Sequence, residues 1–209
     1  VVCVTLYFTS QPTQVRMSVV EFDAWVAKPE NADRLFELID GFVYEKNTAE
    51  DGRMVAHFDS SEIAQIIGYY LRDHLMQHPI GRLSDADGGY EVGDQRYIPD
   101  IGFIRKTRFP KDYAGGYVKA TPDLAVEVIS ATDREPNILI KLSNYLAVKT
   151  VVWIVYPEFQ QVQVHTPEKT ARILTLEDTL DGSELLPDFT LSVRDIFKPL
   201  LDDSEEDDT

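Results

Sequence analysis

The chain has a single cysteine, Cys3, in 209 residues, so no internal disulfide can brace it and its core must come from apolar burial. Such sparse cysteine suits a reducing cytoplasm. Long hydrophobic runs are also missing: none approaches the ~20 residues that a bilayer-spanning helix needs. The opening stretch from Val1 to Phe8 is short, lacks a positively charged start and has no evident cleavage site, which makes it a poor signal peptide. A soluble cytoplasmic protein with no membrane partner is the expectation.

Positive charge is scarce as well. Twenty Lys and Arg face 36 Asp and Glu, for a net charge of −16. A nucleic-acid binder ordinarily shows a basic footprint, and this balance counts against one. Residues 202–209 hold six of the acids and no base, and are expected to form a solvated, disordered acidic tail. The remainder stays acidic without them. The four histidines, His57, His74, His78 and His165, show no metal-ligand spacing with acids or cysteine. His74 and His78 stand at i and i+4, but without the accompanying residues of a zinc motif. Gly115-Gly116 lacks the lysine-serine continuation of a phosphate-binding loop.

Against these gaps stands a hydrophobic fraction of 44%, enough for one sizeable core, and no repeat or linker divides the chain. A single domain over residues 1–201 is expected. Ser18-Val19-Val20-Glu21 has the form of a capping box leading into a helix through Trp25. Residues 34–44 read as two strands joined by a turn at Asp40-Gly41. From Ser60 to His74, apolar residues recur at helical spacing through Ile63, Ile66, Ile67, Tyr70 and Leu71. Ile98 to Ile104 reads as a strand, residues 106–119 as a loop, and Leu124 to Ile129 as a central strand buried on both faces. A helix over Asn137–Val148 and a strand over Val151–Tyr156 follow, and Gln161–His165 with Ala171–Leu176 resemble a hairpin. Strand, helix and strand over 123–156 imply a parallel crossover within a mixed sheet.

One residue breaks the apolar pattern. Glu127 lies among Leu124, Ala125, Val126, Val128 and Ile129, where an ionised carboxylate is costly unless paired or bound to a cation. Asp100 follows Pro99 at the start of the preceding strand, and Asp123 likewise follows Pro122. Carboxylates on neighbouring strands can converge on one hard cation, since Mg²⁺ favours one or two carboxylates plus water. Elsewhere, Lys106, Arg108, Lys111 and Lys119 interleave with Phe109, Tyr113 and Tyr117. That pairing suits a phosphate backbone and stacked bases as well as it suits an ordinary surface loop.

Pro99-Asp100 followed by Glu127-Val128-Ile129 resembles the PD-(D/E)xK nuclease core, and the chain resembles the Uma2 family more closely. The segments that carry this are residues 36–41, 98–101, 122–130 and 141–157, with Leu186-Pro187 and residues 194–197 matching the usual ending. The resemblance implies an α/β (α+β) fold, with a restriction-endonuclease-like mixed central β-sheet flanked by helices. It also implies a divalent-metal-dependent endonuclease acting on DNA, with Mg²⁺ or Mn²⁺ held by Asp100 and Glu127. Ile129 shares a strand face with Glu127 and occupies the place of the motif lysine. Lys141, on the following helix, is the family's substitute for it, and Glu37 matches an early acid, so the implied catalytic set is Asp100, Glu127, Lys141 and Glu37. Tyr145 shares the Lys141 helix face and joins Lys106 and Arg108 as candidate substrate-binding residues. Where the family often has a histidine opening the 60–74 helix, this chain has Ser60 and Ser61. Tyr156-Pro157 replaces a common acid-proline pair. Nucleases of this type often act as homodimers. Ile129 and the negative charge keep an alternative open, a catalytically decayed nuclease fold serving as an interaction module.

Overall fold

The computed structural model describes residues 16–46, 58–130, 133 and 135–206, with side chains to 202. Ser18 caps α1 (Val19–Val26) with the reciprocal box its sequence predicts. The Ser18 hydroxyl accepts from the Glu21 N–H, and the Glu21 carboxylate accepts from the Ser18 N–H at 2.8 Å. Next come β1 (Phe36–Ile39) and β2 (Phe42–Glu45), an antiparallel pair. Between them Asp40 and Gly41 both adopt positive φ, 50° and 80°, as a tight two-residue hairpin turn demands.

The longest helix, α2 (Phe58–Gln77), extends beyond the expected 60–74 at both ends and buries Ile63, Ile67 and Leu71. His57 and the rest of 47–57 lie outside the described residues. Three short strands follow that periodicity does not reveal: β3 (Gly81–Ser84), β4 (Tyr90–Val92) and β5 (Gln95–Tyr97). The expected strand at 98–104 is shorter, β6 (Ile101–Arg105), and Asp100 precedes its first residue. Then β7 (Leu124–Val128), α3 (Glu135–Ala147) and β8 (Val151–Tyr156) form the expected crossover, with β7 and β8 parallel. The late hairpin is β9 (Gln161–His165) with β10 (Arg172–Leu174). A small unanticipated pair, β11 (Thr179–Asp181) and β12 (Thr190–Ser192), leads into α4 (Val193–Ile196) and α5 (Lys198–Glu206). The acidic segment expected as a tail from 202 therefore begins inside α5, while 207–209 lie outside the described residues.

The strands make a six-stranded mixed sheet in the order β10-β9-β8-β7-β6-β3 and a four-stranded sheet in the order β2-β1-β5-β4. This is the expected mixed sheet with helices against it. Side-chain alternation along β7 sorts the core. Leu124, Val126 and Val128 join Trp153 and the α2 residues Ile63, Ile67 and Leu71. On the opposite face, Ala125 joins Val152 and Ile154, Tyr145 of α3, and Tyr90 and Tyr97 of the small sheet. Glu127 shares the Ala125 face, and so points between the large sheet, α3 and the small sheet. Among the described residues, no helix is long and apolar enough to cross a membrane.

Candidate active site

A half-open cavity of about 1090 Å³ lies where these elements meet, and Glu37, Asp100, Glu127, Lys141 and Tyr145 all line it. Four separate pieces of chain supply them. Glu37 comes from β1, Asp100 from the turn before β6, Glu127 from β7, and Lys141 with Tyr145 from one face of α3. The i, i+4 spacing that put Lys141 and Tyr145 on one helix face turns both toward Glu127, and they are the two buried residues of α3.

Glu127 Oε1 accepts from Lys141 Nζ at 2.8 Å and from the Tyr145 hydroxyl at 3.1 Å. The same ammonium donates to Glu37 Oε1 at 3.0 Å, and that oxygen also accepts from the Ile98 N–H at 2.7 Å. Asp100 is held from two sides. Its Oδ2 accepts from the Val128 N–H at 2.7 Å, which ties it to β7, and its Oδ1 accepts from Lys46 Nζ at 3.0 Å. Lys46 was not singled out from the sequence. A lysine closing a hairpin strand carries no signal, and only the packing of β1–β2 beside residues 98–100 brings it here.

Three carboxylates thus face two ammonium groups, leaving an excess of negative charge among largely buried side chains. Burial pushes the Glu127 carboxyl up to about 7; Lys141 works against that shift, while Asp100 and Glu37 add to it. Burial alone would depress Lys141, but Glu127 and Glu37 outweigh it and hold the ammonium above its ordinary value. Burial raises the Tyr145 hydroxyl far above its usual range, with Glu127 reinforcing the shift, so it remains a hydrogen-bond donor.

The donor set fits a hard divalent cation. Mg²⁺ takes one or two carboxylates and keeps several waters, and Asp100 and Glu127 offer such a pair beside a half-open cavity. Burial, with Asp100 and Glu37 adding to it, is what raises the Glu127 carboxyl here. Among the described residues, no group of three or more His, Cys, Asp or Glu side chains could hold a metal ion, so a cation here would have Asp100 and Glu127 as its protein ligands.

The remaining candidates are divided between the cavity and other parts of the fold. Lys106 and Arg108 do not line the cavity. Arg108 binds Asp123 Oδ1 at 2.8 Å, and the Arg105 N–H binds Asp123 Oδ2 at 2.8 Å. Asp123 precedes β7 and Glu127 lies near its other end, so the basic loop packs at the opposite end of the strand. Tyr145 is fully buried in the cavity wall, with its hydroxyl committed to Glu127. Ser60 and Ser61 line the cavity, and the Ser60 hydroxyl lies 3.5 Å from the Ile129 carbonyl oxygen. His74 and His78 stack on each other at the far end of α2.

The Uma2 family model, described as "Putative restriction endonuclease", matches residues 19–194. The fold is similar to a crystal structure from Anabaena variabilis titled "a putative nuclease belonging to DUF820". That similarity has a TM-score of 0.74, covers 87% of this chain and 98% of the other, and comes at 18% sequence identity. No curated protein matches.

Proposed function

Because the chain belongs to the Uma2 family, we propose that it is a divalent-metal-dependent nuclease that hydrolyses the phosphodiester bonds of DNA. The observation that carries this reading is the meeting of Asp100, Glu127, Lys141 and Glu37 in one cavity. In this reading Asp100 and Glu127 hold Mg²⁺ or Mn²⁺. The ion so held supplies a Lewis acid that polarises a phosphoryl oxygen and acidifies water.

The chain's own groups have distinct tasks. The Val128 N–H fixes Asp100, and Tyr145 with Lys141 fixes Glu127, so both carboxylates are set before any ligand arrives. An ammonium has three N–H donors. Lys141 gives donors to Glu37 and Glu127, and among the described residues no further oxygen takes another. One donor is left for a phosphoryl oxygen that gains charge in the transition state. Glu37 keeps this lysine charged and in place.

The test is cleavage of a short DNA duplex with Mn²⁺, with Mg²⁺, and with chelator. Cleavage is expected with either ion and none with chelator, and Asp100→Asn should lower the rate at least about a thousandfold. Undiminished cleavage by Asp100→Asn would sink the assignment. A second reading, a decayed nuclease fold acting as an interaction module, draws on Ile129 in the motif lysine's place and on the −16 charge. It predicts no calorimetric Mn²⁺ binding that depends on Glu127.

A further inference from the structure

Lys46 lines the cavity and touches Asp100, yet the nuclease reading leaves it without a task. Its ammonium has two partners, Asp100 Oδ1 at 3.0 Å and the Ile98 carbonyl oxygen at 2.7 Å. We propose that Lys46 is the resident counter-ion of Asp100, holding that carboxylate in the ion-free protein and surrendering Oδ1 to a divalent cation. The inference rests on the reading of Asp100 and Glu127 as the cation's ligands.

Asp100's two contacts are unequal. The Val128 N–H at Oδ2 belongs to strand backbone and cannot leave without disturbing β7. The Lys46 ammonium at Oδ1 hangs on a flexible four-carbon stem, so it can move. The site's other lysine is in a different position. Lys141 lies between Glu37 and Glu127 with its ammonium 5.6 Å from the centre of the Tyr97 ring, and withdrawing it would leave two buried carboxylates bare. Among the described residues, Asp100 is the one carboxylate that Lys46 contacts directly.

A divalent cation seeking Asp100 Oδ1 therefore meets an ammonium already bound there, and the two like charges repel at such range. The lysine can yield at small cost, because the Ile98 carbonyl keeps one of its hydrogen bonds and retains it in the cavity wall. Lys46 thus competes with the cation for Asp100 and keeps the carboxylate oriented until one arrives.

Mn²⁺ titration calorimetry at pH 8, above the range in which Glu127 holds a proton, tests this on the full chain. Wild type is compared with Lys46→Met, Lys46→Gln and Lys46→Arg. Met keeps the apolar stem, Gln keeps a donor for the Ile98 carbonyl, and Arg keeps the charge. Both neutral variants should bind Mn²⁺ about tenfold more tightly than wild type, and Lys46→Arg should stay close to it. Thermal melting supplies a second readout. The neutral variants should melt below wild type without Mn²⁺, and the gap should narrow at saturation. Wild-type binding with unchanged or weaker affinity in both neutral variants would overturn the inference and leave Lys46 a structural clamp. Absence of Mn²⁺ binding in wild type and variants alike would instead overturn the divalent-ion reading, and this inference with it.

Discussion

At the scale of single residues, Glu127 sets the pH behaviour of the site. Its carboxyl is held near 7 by burial, against 4.5 for an ordinary glutamate. A raised value means that the fold favours the protonated form. That contribution to stability is complete below the ordinary glutamate range and is lost as pH climbs through 7. The ion-free protein should therefore lose Tm between pH 5 and 8, and Glu127→Gln should flatten that part of the profile. Cation binding runs the other way, because the ion must displace this proton. Mn²⁺ affinity should fall about tenfold per pH unit below 7 and level off above it, a slope that calorimetry in buffers of different ionisation enthalpy would read directly. Tyr145→Phe removes one of two hydrogen bonds at Glu127 Oε1 and should cost about 1 kcal/mol in urea denaturation. If the hydroxyl positions Glu127, it should also weaken Mn²⁺ binding. Glu127 was legible in the sequence because a charge in an apolar strand breaks a pattern. Lys141 was legible only through resemblance, since a helix lysine ordinarily faces water. Lys46 was not legible at all, because its partner lies 54 residues away.

At the scale of elements, the long periodic segments emerged as the sequence implied. The helix over 60–74, the apolar strand at 124–129 and the crossover to Val151–Tyr156 each bury enough surface to hold their form. Strands β3, β4 and β5 have three or four residues each, too few for alternation to show, and they exist because neighbouring strands pair with them. The placement of the basic loop was hidden for a related reason. Composition reveals that Lys106 and Arg108 sit among aromatic residues, but not which end of the sheet they occupy. Local rules still yield predictions here. Ser18→Ala removes the oxygen that caps α1 and should cost about 1 kcal/mol. Gly102 lies in β6 under the Tyr90 ring, whose hydroxyl meets the Ser84 hydroxyl at 2.8 Å, and a Cβ at 102 would overlap that ring. Gly102→Ala should therefore cost about 3 kcal/mol, read from the shift of the urea midpoint at constant slope.

At the scale of the whole molecule, the −16 charge governs how a polyanion could approach. With so few bases in the chain, the proposed reading draws its attraction for DNA from a cation at Asp100 and Glu127 and from the two cavity lysines. Fluorescence anisotropy with a labelled duplex should show binding in Ca²⁺ but none in chelator. Its salt dependence should be shallow, with a slope of about −2 rather than the steep value of a protein that neutralises many phosphates. The Glu37–Lys141 ion pair has a mechanical meaning as well. It joins residues 104 positions apart and stitches β1 of the four-stranded sheet to α3, the helix that packs on β8 of the six-stranded one. The same bond that keeps a lysine charged is thus a clasp between two sheets. Any breathing motion that parts them dismantles the cavity, so the lifetime of the assembled site cannot exceed the interval between openings of β1, which amide exchange at Phe36–Ile39 would time.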